Sequence, residues 1–143
     1  MELILLIGIP AAGKSTFYER HLAGTHVRVN LDTLKTRTRE LRLVQECIKG
    51  QRSFAVDNTN VLASDRDRYI PLAKAAGYRV VGYVLDCPVP DAVLRNRRRK
   101  GKACVPVHVI LSFYYKFEQP SLDEGFDELH RVTVVDGDFV VSS

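Results

Sequence analysis

Apolar runs and amphipathic stretches alternate along this chain in a regular order. The first run, Leu3 to Ile7, is apolar at every position, which predicts a strand covered on both faces of a sheet. A helix over Lys14 to Leu22 follows, then a short strand Val27 to Val29. A helix from about Asp32 to Ile48 is next, with Leu34, Leu41 and Ile48 on a flank expected to face the core. The pattern continues with strand Ser53 to Val56, a helix from about Ser64 to Ala76 capped by the serine and ended by Gly77, and strand Arg79 to Leu85. A helix begins near Pro90, and another spans Val107 to Phe117 with Val109, Ile110, Phe113 and Phe117 on one apolar face. Strand Val132 to Val135 closes on Asp136-Gly137, which reads as a tight turn, and Phe139 to Val141 reads as a short edge strand or a loosely packed tail. Strand–helix alternation of this kind predicts an α/β domain of three layers, a mostly parallel central sheet flanked by helices. Right-handed crossovers then put the ligand site outside the carboxyl ends of the strands.

The residues after the first strand fit that placement. Gly8-Ile9-Pro10-Ala11-Ala12-Gly13-Lys14-Ser15 is a G-x-x-x-x-G-K-S phosphate loop in strand–loop–helix context. Gly8 and Gly13 let the backbone bend and approach an anion, and Ala11, Ala12 and the first amides of the helix complete the cradle. Lys14 is expected on the β- and γ-phosphates of ATP, and Ser15 on Mg²⁺. Thr16 is read either as an α-phosphate contact or as a cap of the helix.

Length and composition narrow the class. The chain has 143 residues, which suits one domain over 1–143. The first apolar run lacks a basic leader and is interrupted by Gly8 and Pro10, so neither a signal peptide nor a membrane span is expected and a cytoplasmic protein is. Cys47, Cys87 and Cys104 have no metal-ligand or disulfide spacing, and the four histidines receive no role. A net charge of +4 favours a polyanionic partner. The charge is concentrated in Arg95, Arg97, Arg98, Arg99, Lys100 and Lys102 and again in Lys35, Arg37, Arg39 and Arg42. No run of aromatics interleaves with these charges, so stacking on many successive bases is not supported.

Phosphoryl transfer needs a group to receive the acceptor's proton and positive charge over the moving phosphoryl group. Asp57, Asp86 and Asp136 end apolar strands, and Asp32 follows a short strand by two residues. Asp136 belongs to the turn, and Asp86 reads also as an acceptor ordering its loop. Asp57 opens Asp57-Asn58-Thr59-Asn60, a polar cluster suited to a metal's water shell or to the reacting phosphates. Asp32 reads equally as a helix N-cap or as a general base. Arg95 and Arg99 are four apart and on a helix would share a face, a geometry suited to a lid over ATP. Lys35, Arg39 and Arg42 would share a flank suited to a strand's phosphates.

In this order the segments resemble the kinase domain of polynucleotide 5′-hydroxyl kinases, the nucleic-acid end-healing enzymes. The resemblance rests on the loop and Phe17 at 8–17, Val29-Asn30-Leu31-Asp32-Thr33-Leu34, Val56-Asp57-Asn58-Thr59-Asn60, and Arg95 with Arg99. It extends through Val105-Pro106-Val107 and Tyr115 to Leu122 with Glu124-Gly125-Phe126. It implies a P-loop kinase fold with an arginine-bearing lid, Asp32 as general base for a 5′-hydroxyl, and Lys14 and Ser15 on phosphate and Mg²⁺. Asp57 is implied at the metal, Arg99 as the lid arginine with Arg95 assisting, and Lys35, Arg39, Asn58, Val105 and Val109 toward the acceptor. The family often carries an arginine just before its general base; here that position is Leu31. Phosphatase or ligase functions found in many relatives are expected on separate polypeptides. A kinase of tRNA-linked, sugar or nucleotide-sugar hydroxyls, and a non-catalytic ATP-dependent nucleic-acid-binding module, are the competing readings.

Overall fold

The computed structural model describes the backbone of residues 1–143 and every side chain but that of Lys102, so this member of the basic segment lies outside the described residues. Six strands form one sheet: β1 (Glu2–Ile7), β2 (Val27–Val29), β3 (Phe54–Asp57), β4 (Arg79–Leu85), β5 (Glu128–Val135) and β6 (Asp138–Ser142). Their order is β2-β3-β1-β4-β5-β6, with every pairing parallel except the β5–β6 hairpin. The central position of β1 accounts for its unbroken apolar run, because residues 3 to 7 are buried alternately in the layers above and below.

Helices cover both faces. Leu3, Leu5, Ile7, Val56 and Val80 pack under α3 (Arg37–Lys49) and α5 (Ile70–Ala75) through Val44, Cys47, Ile70 and Ala73. Ile4, Leu6, Ala55 and Val81 pack under α1 (Lys14–His21), α6 (Val89–Arg97) and α7 (Val107–Lys116) through Phe17, Ala92 and Ile110. Gly82 in β4 marks a close approach, since a Cβ there would lie 2.7 Å from both Leu129 and Phe126. Among the described residues no helix is long and apolar enough to cross a membrane.

Four expectations are corrected. The helix from Asp32 to Ile48 is two helices, α2 (Leu31–Leu34) and α3, because Lys35 takes φ +77 and Thr36 caps α3 by accepting the Arg39 amide at 3.2 Å. Lys35 therefore does not continue the Arg39–Arg42 flank, and the buried face of α3 is Glu40, Val44 and Cys47, leaving Leu41 exposed. The helix from Ser64 to Ala76 is likewise split into α4 (Ala63–Arg66) and α5, whose start admits Pro71, and Ser64 lies inside α4 instead of capping it. The α6 helix ends at Arg97, so Arg95 and Arg99 do not share a helical face. The last parallel strand begins at Glu128, and Phe139 to Val141 lie in β6; Asp136 (φ 51) and Gly137 (φ 80) make the turn between the two. The three cysteines are free.

Candidate phosphate and metal site

At the carboxyl end of β1 the chain turns through residues 8 to 13 into α1. Ala11 (φ 64) and Gly13 (φ 103) are both left-handed, and the Gly8 amide donates to Thr59 O at 2.9 Å, tying the loop to the segment after β3. The first amides of α1 have no preceding helical carbonyl to receive them, which leaves donors and the positive end of the helix facing the loop. A Cβ on Gly13 would lie 2.8 Å from Arg95 Nη1, so the Arg95 guanidinium is packed directly on the cradle.

Lys14 is buried and its Nζ donates to the carbonyls of Gly8 at 2.9 Å and Ile9 at 2.8 Å. Burial pulls its ammonium down from 10.5 to about 8; Asp57 opposes that fall, Arg99 adds to it, and Cys87 and Asp32 oppose it more weakly. The carboxylates and the arginine predicted for the site thus act on one ammonium. Arg99 reaches this neighbourhood from beyond α6, with its Nη1 donating to Ala103 O at 3.1 Å. Thr16 lies exposed in the first turn of α1, and the Gly13 position precedes the helix, so Thr16 is not its cap.

Ser15 and Asp57 are brought together: Ser15 Oγ donates to Asp57 Oδ2 at 2.9 Å, and Asp57 is 2% exposed at the end of β3. Arg28 completes a ring that the sequence reading missed. Its Nε donates to the same Oδ2 at 2.8 Å and its Nη2 to Ser15 Oγ at 3.0 Å. The only signal was a charged residue between two valines in a very short strand. A hydroxyl and a carboxylate oxygen suit a hard divalent cation such as Mg²⁺. Among the described residues no three His, Cys, Asp or Glu side chains converge on a metal site, so a cation here needs further oxygens from phosphate and water.

Asp32 is exposed in the first turn of α2. It is not the N-cap: Asn30 is, with Oδ1 accepting the Thr33 amide at 3.0 Å while Nδ2 donates to Asp57 O. Asn58 Oδ1 accepts the Leu31 amide at 2.9 Å, and Asn58 Nδ2 donates to Glu40 Oε2 at 2.9 Å. Glu40 is buried and also accepts from Tyr69 Oη at 2.8 Å and Arg37 Nη1 at 2.8 Å. Burial, then the bond to Glu40, pushes the Tyr69 phenol up to about 12. The loop bearing Asp32 is therefore anchored at both Asn30 and Leu31 to the strand end that carries Asp57. Asn58 has a positioning task, its polar atoms being engaged within the fold.

The remaining predicted residues border this centre. Lys35 and Arg39 are exposed on either side of the α2–α3 break. Val105 precedes α7 and is pinned by buried Asn96, which accepts its amide at 3.0 Å and donates to its carbonyl at 2.6 Å; Val109 is half-buried in the first turn of α7. Asp86 is a surface partner of Arg131, whose Nε donates to it at 2.7 Å. A cavity of about 600 Å³ opens at Gly8 and Ile9 below Tyr114 and Phe117, and another of about 320 Å³ lies among Ala12, Arg95, Thr133 and Phe139. Asp32 lines neither; it stands on the β2 side of the cradle.

Residues 3–120 match the AAA-domain family, and the chain belongs to it. The bifunctional polynucleotide phosphatase/kinase of Schizosaccharomyces pombe is 26% identical over 137 residues, covering 92% of this chain and 33% of that protein. The provisionally named bifunctional polynucleotide phosphatase/kinase of Acanthamoeba polyphaga mimivirus is 30% identical over 140 residues, with 92% and 33% covered. L-seryl-tRNA(Sec) kinase of Methanococcus maripaludis is 28% identical over 152 residues, covering 92% of this chain and 58% of that protein. The chain spans about a third of the length of the first two relatives. Among solved structures, Chaetomium thermophilum Kti12 in complex with ADP-AlF3 superposes with a TM-score of 0.66 at 16% identity, covering 92% of this chain and 88% of that one, a likeness of fold. The fold is that of P-loop kinases, and the relatives carry the resemblance to polynucleotide kinases across nearly the whole chain.

Proposed function

We propose that residues 1–143 form one kinase domain that transfers the γ-phosphoryl group of ATP to the 5′-hydroxyl end of a DNA or RNA strand. One observation supports this most: a phosphate cradle, the Ser15–Asp57 pair and an exposed aspartate on a tethered loop converge at the carboxyl ends of β1, β2 and β3. Phosphoryl transfer asks for little else than positioning and charge neutralisation. Bound Mg²⁺, held by Ser15 and Asp57, would supply charge neutralisation at the β- and γ-phosphates. Lys14 and the amides after Gly13 hold the phosphate oxygens. Arg95 and Arg99 supply positive charge from the side of α6. Asp32 takes the proton of the attacking hydroxyl. Lys35 and Arg39 offer cations to the acceptor's phosphates, and Val105 and Val109 an apolar contact for its terminal nucleoside. Phosphatase or ligase proteins acting on the same ends are the partners this reading fits.

A second reading keeps the donor site and changes the acceptor. It is favoured by the similarity to L-seryl-tRNA(Sec) kinase, whose 28% identity lies between the 26% and 30% of the two polynucleotide relatives. Incubation with γ-labelled ATP and Mg²⁺, offering in parallel 5′-hydroxyl oligonucleotides, seryl-tRNA, sugars and nucleosides, separates the two. Label at the oligonucleotide 5′ end is the expected result. Label only on another hydroxyl overturns the polynucleotide assignment, and ATP binding without transfer to any acceptor overturns the kinase reading.

A further inference from the structure

Arg28 is the one residue at the metal-ligand pair for which the kinase reading has no use. It projects from β2 with 32% of its side chain exposed, and its guanidinium spans both Ser15 Oγ and Asp57 Oδ2. The Ser15 hydroxyl gives its proton to Asp57 and a lone pair to Arg28. Ser15 Oγ and Asp57 Oδ2, two oxygens suited to a divalent cation, are thus engaged by a protein cation of fixed, forked geometry. Arg28 cancels the charge of Asp57, while Lys14 and the two arginines 95 and 99 remain nearby. A divalent ion arriving alone meets a surplus of positive charge. One arriving on a triphosphate brings the anionic charge and the additional oxygen ligands that the protein lacks.

We infer that Arg28 is a placeholder cation at this site. It holds Ser15 and Asp57 in register, excludes free divalent ions from the cradle, and gives up the Ser15 oxygen when a divalent ion enters with the nucleoside triphosphate. This inference rests on the donor half of the kinase reading and not on the identity of the acceptor. Arg28 is a positioning residue here, acting through the metal ligands.

Two measurements test it. Mn²⁺ binding to the whole chain without nucleotide, followed by the loss of the free-ion paramagnetic resonance signal, is expected to be weak in the wild type and roughly tenfold or more tighter in Arg28→Gln, the Coulomb effect of removing a unit charge within about 5 Å of a divalent ion. The second uses the wild type alone, so a variant that fails to fold does not block the test. The Arg28 Nη–H resonance, which reports the bond to Ser15 Oγ, should keep its position when a non-hydrolysable ATP analogue is added without metal and move when Mg²⁺ follows. An Arg28→Gln protein that folds yet binds Mn²⁺ no more tightly, or an Nη–H signal that Mg²⁺ with the ATP analogue leaves unmoved, overturns the inference. Neither readout involves an acceptor, so failure to phosphorylate oligonucleotides would leave these outcomes intact, and their failure would leave transfer activity standing.

Discussion

The Lys14 ammonium gives the cradle its most quantitative test. Nζ is sealed against two carbonyls, and burial holds its proton affinity at about 8 where an ordinary lysine has 10.5. A triphosphate in the loop brings anionic oxygen to this nitrogen and favours the charged form. Binding above pH 8 must then take up a proton, so nucleotide affinity should be nearly flat from pH 7 to 8 and fall by about tenfold per pH unit above that. The Cys87 thiol, another neighbour, is pushed up by burial. Folding senses the same group in the opposite way. Between about 8 and 10.5 the unfolded chain holds a proton the folded chain does not, so stability contributed at this position rises with pH. The charged form costs the nucleotide-free fold about 3 kcal/mol below pH 8 and nothing above 10.5. Titration calorimetry of ADP binding in buffers of different ionisation heat counts the proton directly, and Lys14→Met should abolish both the uptake and the slope. A flat profile up to pH 9.5, or the same slope in Lys14→Met, would refute the assignment of this lysine to the phosphates.

Three further outcomes follow from the geometry. Asp32→Ala removes an exposed side chain and should change stability by less than about 0.5 kcal/mol in urea denaturation, while single-turnover phosphoryl transfer falls roughly 10²- to 10⁴-fold at unchanged nucleotide affinity. Glu124→Ala strips the partner from Arg66, whose side chain is 0% exposed and donates to Glu124 at 2.7 Å; a loss of about 3–5 kcal/mol is expected, and one below about 1 kcal/mol would mean that water or Asn60 O already satisfies the guanidinium. Gly13→Ala combines φ +103 with a methyl 2.8 Å from Arg95 Nη1, so it should cost about 1–3 kcal/mol and displace Arg95, seen as weaker ADP binding by fluorescence titration.

The layer architecture was legible because its causes are local. A strand buried on both faces must be apolar throughout, and the turn into an anion-binding helix favours glycine at Gly13, where φ is +103, so Leu3 to Ser15 carries fold and chemistry in one stretch. The break between α2 and α3 was not legible. Lys35 adopts φ +77 with neither glycine nor proline nearby, and the one local sign is Thr36 three residues before Arg39. Arg28 and Glu40 were missed for a related reason: a charge on a three-residue strand or in the first turn of a helix ordinarily faces solvent, and only pairing across the fold shows that these two are engaged by other side chains.

That break bears on how the loop is held with the apolar Leu31 just before Asp32. The backbone holds it: the Leu31 amide is fixed by Asn58, Asn58 by Glu40, and Glu40 by Tyr69 and Arg37, while Asn30 binds the carbonyl of Asp57 itself. The chain of bonds is part-buried along most of its length and buried at Tyr69–Glu40, and its members come from separate segments of the chain, so it is stiffer than a single exposed side chain. It also requires α3 to start afresh after Thr36, since the first turn of that helix supplies both Arg37 and Glu40. The left-handed Lys35 belongs to this arrangement, in which the loop next to the cradle is positioned from behind by a buried carboxylate.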